Sequence, residues 1–317
     1  MTMEEKYDAY YLPLVNKFVT QLDESGLDYS GIPALFLPAW GKQYSKALVK
    51  IAVIGKETRG WWEGGLTDFI TAVKNRTYKT IDDRKEFQNL DFKNKNWMGD
   101  NPTRATFWGF WMNILAKTYG IADWNTIKRG EHDNLLDSFV WGNANAIETW
   151  PSQGIDKKIA NKHAHQFAST SANLFNSLKH IQEVFRPDVV ILTCSRGEQR
   201  QYLSEMDAEQ IQNEKFPHVT VWKTGKTFIF SMPHPNNQRF TSGGSDIYAQ
   251  QVRDLLVEYK KFMPLPTVGT QTTHTPALRQ YIREHCADKN RFEIIAMIAK
   301  ELRKQNCTMQ AKWFVMY

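Results

Sequence analysis

The chain alternates between helix-period stripes and unbroken apolar runs. Residues 7–24 place Tyr10, Leu14, Phe18 and Leu22 four apart, the spacing of one helix face. Residues 48–54 (Leu-Val-Lys-Ile-Ala-Val-Ile) are almost wholly apolar and stop at Gly55, the pattern of a strand buried on both faces. A polar stretch rich in Gly, Asn, Lys and Asp then runs to about residue 103. Beyond it the pattern predicts a buried aromatic helix over 104–119, a strand over 138–142 and a helix over 168–185. A strand over 188–193 follows the Arg186-Pro187 break, and a helix follows it over 198–205. Residues 219–223 and 227–231 flank Thr224-Gly225-Lys226 as a hairpin. A helix over 247–262 carries Val252, Leu255, Leu256, Tyr259 and Phe262. Helices alternating with buried strands predict an α/β sheet whose site lies at the carboxyl ends of the strands.

The stretch 263–276 is bounded by prolines, rich in threonine and uncharged, and reads as a linker. It divides an α/β domain over 1–262 from a small helical C-terminal extension over 277–317, with helices expected at 277–286 and 291–304. No internal repeat is evident.

Composition narrows the classes. With 317 residues, 42% apolar and 23% charged, the chain has ample core and is neither collagen, coiled coil nor disordered. The longest apolar runs, 189–192 and 294–299, are far shorter than a membrane span. The start, Met1-Thr2-Met3-Glu4-Glu5, is acidic and lacks an apolar signal core, so a cytoplasmic chain with no membrane partner is expected. Cys194, Cys286 and Cys307 are far apart and form no C-x-x-C pair, so neither a zinc site, an iron–sulfur cluster nor a disulfide framework is expected. No metal and no cofactor are implied.

The net charge of +6 permits a polyanionic partner. From residue 265 onward, eight Lys/Arg stand against four Asp/Glu, so the tail holds +4 of that excess. Eleven tryptophans add rings that could stack on bases, although most of them read as core.

Each strand ends in polar residues: Gly55-Lys56-Glu57-Thr58-Arg59-Gly60-Trp61-Trp62, Asn143-Ala144-Asn145, Cys194-Ser195-Arg196-Gly197, and Pro233-His234-Pro235-Asn236-Asn237-Gln238-Arg239-Phe240. One winding of the sheet would bring a carboxylate, two amides and an imidazole to one edge. Gly55-Lys56 is not a phosphate-binding loop. That motif needs a glycine five residues earlier and a hydroxyl next, where Lys50 and Glu57 stand. Cys194 followed by Arg200 has the spacing of a cysteine-dependent phosphatase, in which a thiolate attacks phosphorus and an arginine holds its oxygens. That cradle would hold one glycine and enclose Glu198; a buried strand-end cysteine before an ordinary helix start accounts for the same residues.

A glycine–acid loop after the first strand, a strand ending in Asn-Ala and a late strand ending in His-Pro resemble, in this order, the uracil-DNA glycosylase superfamily. The resemblance covers residues 48–262 and implies a three-layer α/β/α sandwich with a central, mostly parallel sheet. Where the best-known branch has Gly-Gln-Asp-Pro-Tyr, this chain has Gly55-Lys56-Glu57-Thr58-Arg59; its His-Pro-Ser-Pro-Leu falls on His234-Pro235-Asn236-Asn237-Gln238. The resemblance implies hydrolysis of a base–deoxyribose bond. Glu57 would stabilise the cationic sugar and orient water, and neutral His234 would donate to the departing base oxygen. Asn143 would read the edge of a flipped pyrimidine, and Trp61, Trp62 or Phe69 would stack on it. Lys56, Arg59, Asn237, Gln238 and Arg239 would meet DNA, the expected partner.

The departures carry information of their own. The tyrosine that walls off the C5 side of uracil aligns with Arg59, in a loop containing Gly60, Gly64 and Gly65, and the small aliphatic wedge aligns with Gln238. The pocket is therefore expected to admit a bulky modified pyrimidine, such as the hypermodified cytosine of phage DNA; some members of the superfamily are phage-defence enzymes. No lysine occupies a motif position as a Schiff-base nucleophile, so strand cleavage is not expected. A non-catalytic DNA-binding relative is the other alternative.

Overall fold

A computed structural model describes residues 1–26, 36–41, 43–47, 49–56, 66–75, 106–121, 123–128, 132, 135, 138–146, 177–194, 196–211, 214–235 and 244–260. The expected linker and C-terminal extension, 263–317, lie outside the described residues.

The chain opens with α1 (Met3–Ser25). Its start is fixed by a reciprocal cap in which Thr2 Oγ1 accepts from Glu5 N–H and the Glu5 carboxylate accepts from Thr2 N–H. That box starts the helix four residues before the expected boundary. The buried stripe is Tyr7, Tyr11, Val15, Phe18 and Leu22, so Tyr10 and Leu14, expected at its centre, lie at its margin. Helix α2 (Leu66–Lys74) stands within the stretch read as polar, and buries Leu66, Phe69 and Ile70. It is followed by α3 (Thr106–Tyr119), α4 (Asn125–Lys128), α5 (Ser177–Phe185), α6 (Arg196–Glu205) and α7 (Gly244–Lys260).

The strands are β1 (Ala39–Trp40), β2 (Ile51–Gly55), β3 (Phe139–Asn143), β4 (Val189–Thr193), β5 (Glu209–Ile211), β6 (Thr220–Thr224) and β7 (Thr227–Met232). They form one sheet in the order β1-β3-β2-β4-β7-β6-β5. The central four, β3, β2, β4 and β7, are parallel. Every residue of β2, β3 and β4 is buried, as expected for strands covered on both faces. The margins are antiparallel: β1 on β3, and the β6–β7 hairpin with β5 beyond it. The expected mostly parallel central sheet is present, and its margins turn antiparallel, where the hairpin folds β6 back along β7. Short β1 and β5 were not anticipated; two and three residues are too few to show a period.

Alternation along each strand sends its side chains to two cores. On one face Ala52, Ile54, Val140, Val190 and Leu192 pack with α1, α2 and α5. On the other Ile51, Val53, Phe139, Trp141 and Ile191 pack with α3 and α7. Helices therefore cover both faces. From β2 the chain steps one way to β3, then crosses to β4 on the other side. That reversal makes the carboxyl ends of β2 and β4 the switch point of the sheet, the place where open α/β sheets bind ligands. No helix among the described residues is long and apolar enough to cross a membrane.

Candidate functional site

Gly55 ends β2 in register with Asn143, the last residue of β3. A side chain in place of the glycine hydrogen would displace its neighbours: a Cβ there would lie 2.7 Å from Asn143 Oδ1 and 3.6 Å from the Phe107 ring. The absence of a Cβ lets the carboxamide and the ring close around the strand end. Asn143 is only 4% exposed. Its successors are tied back to β2, with Ala144 N–H donating to Gly55 O at 2.8 Å and Asn145 N–H to Lys56 O at 2.9 Å.

Phe107, in the first turn of α3, leans over this rim. It meets Trp108 edge-on at 4.9 Å and faces His234, whose ring lies nearly parallel at 15° with centroids 6.0 Å apart. His234 stands two residues beyond β7, between Pro233 and Pro235. Proline fixes φ and restricts the residue before it, so the imidazole is carried on a stiff segment. The ends of β2, β3 and β7 thus meet around one aromatic ring. The rim combines a flat apolar face, a carboxamide able to donate and accept, and an imidazole: complementary to a planar heterocycle with polar edges.

Side chains hold the strand ends together. Thr193 Oγ1 donates to Ile54 O at 3.0 Å, joining β4 to β2. Gln199 Nε2 donates to Cys194 O at 2.6 Å and to Met232 O at 2.9 Å, joining β4 to β7. The Tyr202 hydroxyl donates to Asn145 Oδ1. Gln199 and Tyr202 are three apart on α6 and so share a face.

Of the residues expected from sequence, Asn143 and His234 come to this rim, and half-buried Lys56 borders it. Glu57, Arg59, Trp61, Trp62, Asn237, Gln238 and Arg239 lie outside the described residues. Phe69 does not join the rim. It is 2% exposed in the core of the opposite sheet face, because it falls on the apolar stripe of α2 with Leu66 and Ile70. Cys194, the nucleophile of the phosphatase alternative, is fully buried in that same apolar core, and Arg200 is exposed. Burial in apolar surroundings disfavours a thiolate. Among the described residues, no group of three or more His, Cys, Asp or Glu gathers as a metal site.

Sequence reasoning missed Phe107 and Gln199. Phe107 was one of the aromatics of the helix expected to be buried; its place in the first turn, beyond the β2 end, sets it apart from them. Gln199 gave no signal, since an amide in a polar helix reads as solvated. The chain matches no known family model and no curated protein.

Proposed function

We propose that the protein is a cytoplasmic, monofunctional DNA glycosylase that hydrolyses the bond between deoxyribose and a flipped-out pyrimidine. Water adds at C1′ as the C1′–N bond breaks, and the base leaves with the bond electrons and is finally protonated. Glu57, next after Lys56 in the chain, stabilises the sugar cation and orients the water. His234 donates a hydrogen bond to the developing charge on the base oxygen. Asn143 reads the polar edge of the base. Phe107 offers it a stacking face. The observation that carries this function is the meeting of Asn143 and His234, from two of the three motifs of the resemblance, around one half-buried aromatic ring.

The favoured substrate is a bulky modified pyrimidine, such as hypermodified cytosine in phage DNA, because Arg59 stands where a C5-excluding tyrosine would. The basic tail adds phosphate contacts, which makes binding salt-dependent.

The deciding experiment is mass spectrometry of free bases after incubation with duplexes carrying uracil, thymine, hydroxymethylcytosine or its glucosylated form, and with phage DNA. Release of a C5-substituted pyrimidine, lost in Glu57→Gln and without strand scission, is expected. Release of uracil alone would remove the bulky-base specificity. Release of nothing, with DNA binding retained, would make the protein a non-catalytic DNA-binding relative.

A further inference from the structure

Gln199 contributes both hydrogens of one amide nitrogen to two carbonyls that lie on neighbouring strands. Cys194 O comes just after the last residue of β4, and Met232 O belongs to the last residue of β7. Thr193 and Met232 are register partners, so the bridge sits where the β4–β7 ladder ends. Gln199 itself is 8% exposed. Two carbonyls that would otherwise leave the ladder inside a dry environment are thus satisfied by one side chain. Only an amide or another double donor can do this; a carboxylate would present oxygen to oxygen.

The residues just past Met232 make that bridge consequential. Pro233 has no N–H and a fixed φ, and His234 is restrained by Pro235, which is buried. Few soft torsions separate the Met232 carbonyl from the imidazole, so a shift of the strand end passes to the ring. The ring stacks on Phe107, which is carried by α3 and stands beside the β2 end, so it reaches the imidazole on a different element from β7. The relation of His234 to Phe107 therefore depends on where β7 stops sideways, and Gln199 holds that place.

We propose that Gln199 is the positioning residue for His234, holding the Pro233–His234–Pro235 segment so that the imidazole stays against Phe107; its catalytic consequence rests on the glycosylase function proposed above. Gln199 touches neither base nor sugar. Tyr202, on the same face of α6, serves the β3 side through Asn145 and provides an internal contrast.

The test uses the full-length chain with Gln199→Met, which keeps length and removes both donors, and Gln199→Asn, which keeps the donors with shorter reach. The chain has eight histidines, so the His234 ring resonances are assigned by their loss in His234→Gln. In the parent chain these ring protons feel the Phe107 ring current, and Phe107→Leu removes that shift. In Gln199→Met, the His234 resonances are expected to move toward those of Phe107→Leu. In Tyr202→Phe they stay put. Base release should lose about 10- to 100-fold in kcat, with KM for DNA little changed, since a misplacement of about 1 Å costs on that order. Gln199→Asn should fall between parent and Gln199→Met on both readouts, and it carries the test if Gln199→Met does not fold. Unmoved His234 resonances in a folded variant overturn the inference whether or not any base is released. A displaced ring with unchanged kcat overturns the catalytic part. Displaced resonances in a protein whose parent form releases no base sink the glycosylase function and leave Gln199 as the residue that places His234.

Discussion

At the amino end of the parallel strands, a cavity of about 510 Å3 is lined by Lys179, Glu183, Arg186, Asp188, Asp207 and Lys226, among others. At the carboxyl end, the buried polar groups among the described residues include Asn143, Thr193 and Gln199, all uncharged, with half-buried His234 and Lys56 beside them. The amino end has volume and charge, but its features are those of ordinary helix termini. Arg186 and Asp207 have φ of 47° and 49° because α5 and α6 stop there, and Arg186 N–H and Asp207 N–H bond back to their helices. Asp188 accepts from Lys50 N–H at 2.9 Å, which aligns β4 with β2. Among the described residues the carboxyl end is the more constrained: amides and hydroxyls there hold strand ends in register. The pairing teaches that uncharged polar groups buried at strand ends mark the candidate site better than a charged hollow does. A charge that water and counter-charges already satisfy has little to offer a ligand.

The strongest way to break this contrast is to truncate one residue at each end. Asn143→Ala should lower base release by about 10²- to 10³-fold, the scale for removing one preorganised donor. Lys226→Ala, in the amino-end cavity, should stay within about twofold of the parent, as surface changes usually do. Equal losses from both, measured as initial rates of base release, would erase the distinction between the ends.

Two glycines sharpen it next, since each is needed for a different reason. Gly55→Ala puts a methyl group 2.7 Å from Asn143 Oδ1, so the carboxamide must give way, at a cost of about 1–3 kcal/mol. Gly225 has φ of 55° with open space around its Cβ position, so Gly225→Ala strains the hairpin backbone alone, by about 1 kcal/mol. Urea unfolding should report both losses. Base release, scaled to folded protein, should fall for Gly55→Ala only. A parent-like rate in Gly55→Ala would show that the carboxamide does not need its present place.

Much of the frame was legible in the chain, and the reasons are specific. Runs such as Val189–Thr193 have no solvent face to obscure them, so the central strands and their polar endings stood out. Glycine at 55, asparagine at 143 and histidine between two prolines pointed to the candidate site because each stands where a buried strand gives way to polar residues. What escaped depended on tertiary direction. Phe69 and Phe107 are both helical aromatics, and no local pattern says that one points into a core while the other leans past a strand end. Phe107→Ala tests that assignment: loss of a stacking face should cost about 1–3 kcal/mol, or about 10- to 100-fold in base release. Phe69→Leu should instead lower stability with little change in rate per folded molecule. The reverse pattern would return the stacking role to Phe69.

The smallest expected effect concerns the clasp that keeps Phe107's helix against α7. Lys117 donates to Asp246 Oδ1 at 2.8 Å, and Asn113 Nδ2 donates to the same oxygen at 3.4 Å. The Lys117 hydrogen bond is the main cause that holds the Asp246 carboxyl below its usual 3.8, against a partial desolvation that pushes the other way. Because the folded-state value is depressed, the folded protein gains from the ionised carboxylate above the unfolded-state pKa. That gain disappears as pH falls through the lowered folded-state pKa. Because Asp246 is 66% exposed, solvent and salt screen the pair, and it contributes under about 1 kcal/mol. Asp246→Asn should therefore destabilise the protein slightly at neutral pH and in low salt. The difference from the parent should shrink in high salt and close below pH 3.8. Urea midpoints measured across that range provide the check: a difference constant in both pH and salt would mean that Asp246 acts through packing at the start of α7 rather than through its charge.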